Sequence, residues 1–466
     1  MRKRYTTLAL DSASLLFGRS THPVIRNGVT IGGGAVIPEI KFTLPPTDIN
    51  EGSMADITAM FEDMVAGVCK RAVELHQNPI VVEFELLPEM TINPGWGELI
   101  TVRLRNVLDD FRNRDGLLSL LRITPVDIRE LQKPPLRRSG RETELLFDSF
   151  RRCARAGGDM LSIESTGGKE VTDPSIMAAD LRGILFGTVL LGCADMEFLW
   201  GRICAIARET STIAAGDTAC GIGNTAMVLA DQGYVPKVFA AVVRAVTAVR
   251  SLVAYEAGAV GPGKDCGYEN AFLKAITGYP MSMEGKSAAC AHFSSLGNIA
   301  GVYADLWSNE SVQHIKLLSG MAPVVSMEQL IYDCRLFNVA SKKGFALNFR
   351  DMLVDSDARL DPQAFILKPD VVLDLSTTII SDGDDYVRGV RTAKKAVEIL
   401  EKGARTGEML LPEREAGWIE RMKIALEELP PSKREFFKEE SDRWQGVVDF
   451  SQYEFSESGI EEGIIG

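Results

Sequence analysis

Residues 53–86, SMADITAMFEDMVAGVCKRAVELHQNPIVVEFEL, carry the pattern on which the fold turns. Apolar residues recur at helical spacing through 53–77, Asn78 and Pro79 stop the helix, and IVVEFEL (80–86) follows as a β-branched run. A helix feeding a short apolar strand is half of a βα unit, so the question is how often the chain repeats it. LLSLLRITPVDI (117–128) reads as a second strand. The helix RETELLFDSFRRCARAG (141–157) leads into DMLSIES (159–165), and a long helical stretch (174–209) leads into STIAAGD (211–217). PKVFAAVVRAVTAVRSL (236–252) leads into VAYEAGAV (253–260), and KSAACAHFSS (286–295) and the region QHIKLLSG to PVVS (313–326) add further strand candidates. Seven or eight such units in one series predict an α/β fold of the (β/α)8 barrel type rather than an open sheet.

The flanks are less regular. Residues 1–52 hold NGVTIGGGAVIPEIKF and the loop TLPPTDINEGS, and read as an N-terminal arm packing on the barrel. GGG is no dinucleotide fingerprint there, because Pro38 intervenes and no helix opens after it. The barrel is placed at 53–380. Closing helices (382–404 and 413–429) and an acidic tail occupy 381–466.

Composition narrows the function. The chain has 466 residues, 45% hydrophobic and 25% charged, with a net charge of −13, which argues against a nucleic-acid surface. The run GILFGTVLLGCA (183–194), bracketed by Arg182 and Asp195, is too short to span a bilayer and reads as a buried helix. Asp11 interrupts the apolar stretch near the N-terminus, so no secretory signal is expected; a cytoplasmic protein without a membrane partner is. The eight cysteines contain no CxxC pair and are by default reduced core residues, as the helical settings of Cys69, Cys153, Cys193 and Cys204 fit.

Two cysteines break that default. Cys220 lies in AAGDTACGIGN (214–224) and Cys266 in GPGKDCGYEN (261–270), each on a turn of small residues just past an apolar strand. Glu164 stands next to last in DMLSIES, which is followed by TGGK, a third strand tip of the same design. In a barrel, all three would lie at the carboxyl ends of successive strands, where active sites are built. Two thiolates and a carboxylate converging there would be three ligands for Zn²⁺ with a fourth position open, the catalytic rather than the structural pattern. Their charges with the metal sum to −1, a mild Lewis acid suited to alkyl transfer. Unrelated packing cysteines remain the alternative on spacing alone.

Other motifs carry less. GAVGPGKD (258–265) imitates a phosphate loop, but Asp265 stands where Ser or Thr must hold magnesium and Pro262 lacks an N–H. No GxSxG is present. Glu83 and Glu85 share one face of a strand, so one of them is expected at the barrel mouth or solvated. His76 closes a helix, and His292 sits at a possible strand end, either in the core or pointing into the mouth.

IESTGGKE, AGDTACGIGNTAMVLA and GPGKDCGYEN resemble the zinc subunit of methanol:corrinoid methyltransferases, as do GGGAVIPEIKF, NPGWGE (93–98) and SAACAHFSSLGN (287–298). The resemblance covers nearly the whole chain. It implies a (β/α)8 barrel whose Zn²⁺ is held by Glu164, Cys220 and Cys266. It also implies transfer of the methyl group of methanol to Co(I) of a corrinoid carried by a partner subunit. A homodimer within a hetero-oligomer is expected, and Asp217, Glu85 and His292 are candidate proton donors to the leaving oxygen by position. The rival readings are a related barrel taking a methoxylated aromatic or a methylamine, and a non-catalytic scaffold for a corrinoid protein.

Overall fold

A computed structural model of the chain describes residues 2–313 and 315–455; the acidic tail beyond Phe455 lies outside the described residues. β1 (Arg19–Arg26) and β2 (Val29–Gly33) form an antiparallel hairpin around Asn27–Gly28. Both turn residues have positive φ, which Asn and Gly accept most readily. Seven further strands run parallel: β3 (Ile37–Thr43), β4 (Ile80–Leu86), β5 (Ser119–Pro125), β6 (Met160–Ile163), β7 (Ile213–Asp217), β8 (Ser282–Glu284) and β9 (Leu306–Val312). Their spatial order is β7-β6-β5-β4-β3-β9-β8.

The gap between β7 and β8 is filled by an irregular eighth stave, residues 260–263. Val260 and Gly261 donate to the Ala214 and Ala215 carbonyls of β7 at 2.9 and 2.7 Å, and Gly263 pairs with Met281 on the other side. The ring is closed. Pro262 has no N–H for a ladder, which keeps this stave from regular pairing. Gly263 has no room for a side chain: a Cβ would stand 2.8 Å from Met281 Sδ and 2.9 Å from Asn270 Nδ2.

The two ends of the barrel differ in chemistry. At the amino end, Val29 and Ile31 of the hairpin pack on Ile37, Val81, Leu120, Met160, Ala215 and Leu306, plugging the bottom with apolar side chains. Above that plug the interior is charged. Arg122 Nε lies 2.7 Å from Glu39 Oε1 with both side chains fully buried, and Arg122 Nη1 donates to Ser162 Oγ and the Pro262 carbonyl. One level higher, Lys264 Nζ meets Glu83 Oε1 at 2.8 Å and Asp265 Oδ1 at 2.5 Å. This interior layer is why IPEIKFT and IVVEFEL alternate acidic or basic with apolar residues.

Several expected elements fall elsewhere. The arm read through residue 52 includes β3, a barrel strand; only the hairpin and the chain before it pack outside. VAYEAGAV is no strand, because the helix Lys237–Ala257 runs on through it. KSAACAHFSS forms the short helix Lys286–Ala291, which puts His292 at a helix end, and the strand of that unit is the preceding Ser282–Glu284. PVVS begins the helix Ala322–Lys342, and β9 lies earlier, at Leu306–Val312. The segment Leu181–Thr210 and the helix Lys237–Ala257 are apolar enough to cross a membrane, but 83% and 100% of their apolar windows are buried in the protein.

Candidate metal centre

Glu164 follows β6, and its backbone bridges Val126 just past β5. Cys220 opens a π-helical turn, Cys220–Asn224, after β7, and Cys266 follows the irregular stave. The structure brings the three together: one ligand atom from each lies within 4.8 Å of the other two. Cys266 Sγ is 3.2 Å from Glu164 Oε1.

Each residue is held by its neighbours. Asn224, at the end of the π-turn, donates to Cys220 Sγ at 3.6 Å and to the Cys266 carbonyl at 2.9 Å, tying both cysteine segments to one amide. Arg244 Nη2 fixes that amide through Asn224 Oδ1 at 2.6 Å and pairs with Glu269, whose Oε1 accepts from Ala219 N at 2.6 Å. Gly223 is small because Arg244 passes over it: a Cβ would sit 2.6 Å from Nη1. Such π-turns often mark functional sites.

Asp217 does similar work. Its carboxylate accepts from Ser165 N (3.1 Å), Thr218 N (2.7 Å) and Trp200 Nε1 (2.7 Å), and it is fully buried. Burial pushes its carboxyl up to about 6 against the pull of Arg250. The structure therefore places Asp217 as a clamp joining the strand tips of Glu164 and Cys220.

The mouth carries further charge. Lys41 Nζ lies 3.5 Å from Glu85, 3.7 Å from Glu310 and 3.9 Å from Glu164, and Lys264 Nζ lies 3.4 Å from Glu164. Burial would push the Glu164 carboxyl up, but the two lysines outweigh it and hold the group below the usual carboxylate range. Glu85 goes the other way, raised by burial despite Lys41. His292 Nδ1 lies 3.1 Å from Glu284 Oε1, and Tyr268 donates to Glu284 Oε2 at 2.8 Å. Sequence reading missed Lys41, Lys264, Glu284 and Asn224. For Lys41 a signal existed: a charge two residues from Glu39 in an apolar strand is the alternation that singled out Glu83 and Glu85.

The donor set fits a cation. Burial pushes the Cys266 thiol well up. The Cys266 contact pulls Cys220 down, yet burial and the Glu164 and Glu284 charges leave it raised as well. Surrounded by protein alone, both sulfurs keep their protons; a divalent cation among them would compensate two thiolates.

A closed α/β barrel with a cluster of thiols and a carboxylate at its carboxyl end defines a barrel enzyme whose chemistry sits on the strand tips. The chain matches the methanol-cobalamin methyltransferase B subunit (MtaB) family over residues 2–456, and it belongs to that family. It is 39% identical over 441 residues to a methanol–corrinoid protein co-methyltransferase of Methanosarcina barkeri, covering 93% of this chain and 95% of that one. It also superimposes on a chain in the crystal structure of the methanol:cobalamin methyltransferase complex MtaBC from Methanosarcina barkeri. That match has a TM-score of 0.93 and 37% identity, over 97% of this chain and 100% of the other.

Proposed function

We propose that Glu164, Cys220 and Cys266 hold Zn²⁺ and that the chain transfers the methyl group of methanol to Co(I) of a corrinoid on a partner protein. The observation that carries this is the convergence of two sulfurs and one carboxylate oxygen within 4.8 Å at the barrel mouth of a chain in this family. Two soft donors and one hard one suit zinc, and three protein ligands leave a fourth position for substrate. When bound, zinc would supply Lewis acidity toward the alcohol oxygen, which matters because hydroxide is a poor leaving group.

The protein's own part is to arrange charge and deliver a proton. In the transfer the C–O bond breaks, a Co–C bond forms, and the oxygen leaves as water after taking one proton. Of the three candidate donors, Asp217 is occupied by two backbone amides and an indole, and Glu85 faces Lys41. We assign the proton to His292, which borders the mouth and is about one-third exposed to solvent for reloading. Its hydrogen bond to Glu284 raises it above the usual histidine range, burial works against that, the Glu284 and Glu310 charges add to it, and Lys41 opposes them.

The sign follows. A raised imidazolium is present below its pKa and lost above it, so methyl transfer falls as pH rises through a value above the usual ~6.5. His292→Gln is expected to lower kcat by roughly 10²-fold at pH 6 and to remove that basic limb. An unchanged pH profile would assign the proton elsewhere.

The reading is tested by assaying methyl transfer to Co(I) corrinoid from methanol, a methoxylated aromatic and a methylamine, with metal analysis of anaerobically purified chain. Turnover with methanol and about one zinc per chain is expected. Turnover with another donor only would replace the substrate, and a metal-free chain would support the scaffold reading. With this reading go a homodimer inside the hetero-oligomer and a cytoplasmic location.

A further inference from the structure

The loop that carries Glu164 is fastened from the far end of the chain. Residues Phe450–Tyr453 form a short 3-10 turn, and Tyr453 enters the protein with 2% of its surface exposed. Its hydroxyl accepts from Gly168 N at 3.0 Å and from Arg137 Nε at 3.2 Å, and donates to Glu170 Oε1 at 2.5 Å. A phenol has one donor and two acceptor positions, so all three are used.

The same partners reach the metal loop again. Arg137 Nη1 donates to Thr166 Oγ1 at 2.7 Å and Nη2 to Glu170 Oε2 at 2.8 Å. Asp127 accepts from both Thr166 N and Thr166 Oγ1, at 2.9 and 3.1 Å. Thr166 and Gly168 are two and four residues past Glu164. Gly168 has φ +82° and no space for a Cβ, which would lie 2.0 Å from the Gly187 carbonyl, so the loop has one conformation to be held in.

The terminal turn is itself pinned. Gln452 Oε1 accepts from Arg138 N and Ser139 Oγ, both at 3.1 Å, and Phe450 packs edge-on against Phe437 at 5.4 Å.

We propose that Tyr453 is a positioning residue for the metal centre. Its hydroxyl locks residues 164–168, and the C-terminal turn thereby sets how firmly the carboxylate ligand is presented beside the two sulfurs. The proposal rests on the zinc reading above, since a clasp on this loop matters for metal only if Glu164 is a ligand. The Tyr453 hydroxyl bonds to Gly168, Arg137 and Glu170 and to neither thiol loop, so its effect enters the centre through the Glu164 loop and reaches Cys220 only by way of that loop and the helix Lys169–Met177 packed on the π-turn.

The test uses the full chain loaded with Zn²⁺ and follows metal release to a chromophoric chelator. Tyr453→Phe keeps the ring and loses the hydroxyl; zinc release is expected to speed up about 10-fold, the low end for a change beside a ligand. Amide exchange at Thr166 and Gly168 should rise with it. Tyr386→Phe is the control, because Tyr386 is equally buried and donates to the Pro430 carbonyl at 2.6 Å, away from the loop. It should release zinc at the parental rate. Glu170→Gln, which weakens the same clasp without altering the terminal turn, should move release in the same direction by less. Parental release from both Tyr453→Phe and Glu170→Gln, or equal acceleration by Tyr386→Phe, overturns the proposal while leaving the metal site intact. A parental chain that binds no Zn²⁺ overturns the zinc reading itself, and this one with it.

Discussion

Cys220→Ala and Cys266→Ala are each expected to abolish methyl transfer and to leave the purified chain without zinc. Removing one sulfur leaves two protein donors, fewer than a catalytic zinc site uses. The loss should therefore exceed the ~10–100-fold that changes behind the ligands cost. Folding should survive, because both residues lie on loops at the mouth rather than in the barrel wall. Zinc content, transfer rate and thermal unfolding, measured on the same preparations, separate the outcomes. A variant with normal turnover and no zinc contradicts the assignment.

Glu39→Ala is expected to have the largest effect on stability. Glu39 and Arg122 are both fully buried and paired at 2.7 Å, and Ser282 Oγ also donates to Glu39. Removing the carboxylate strands a guanidinium inside the barrel, at a cost of about 3–5 kcal/mol. Arg122 cannot shed its charge to escape this, since arginine stays protonated. Replacing both partners by apolar residues, as in Glu39→Leu with Arg122→Met, should recover a large part of the loss, because no uncompensated charge then remains. Urea midpoints of the single and double variants check this. A double variant no more stable than Glu39→Ala would show that Ser162 and the Pro262 carbonyl, not the ion pair, dominate that layer.

The barrel was readable where a strand is apolar, β-branched and bounded by helix stops, as in IVVEFEL and STIAAGD. It was not readable at 253–260, because Lys237–Ala257 is buried on every face and its mostly apolar run fits a buried strand as well as a buried helix. β8 has three residues, too few for a period, and the eighth stave is built around a proline that makes no ladder. β9, LWSNESV, hides for another reason: Ser308 faces the polar interior and Glu310 is exposed beside Lys41, so the strand lacks the apolar run expected of a parallel sheet.

The cluster of Glu164, Cys220 and Cys266 was legible because each residue announces itself locally, with small residues clearing space at a strand tip. Lys41 shows as a charge alternating with apolar residues, and Lys264 lies two residues before Cys266 in the same turn; that both, with Glu284, face the cluster is set by closure of the sheet, which no local pattern encodes. Tyr453 was wholly illegible, since it reaches Gly168 across 285 residues with nothing in its own segment to say so.

X-ray absorption at the zinc edge of the anaerobically purified chain reads the atoms around the metal. One zinc is expected, with two sulfur scatterers at about 2.3 Å and oxygen at about 2.0–2.2 Å, and with one sulfur lost in Cys266→Ala if any metal is retained. A chain free of metal, or a zinc shell made only of nitrogen and oxygen, would contradict it.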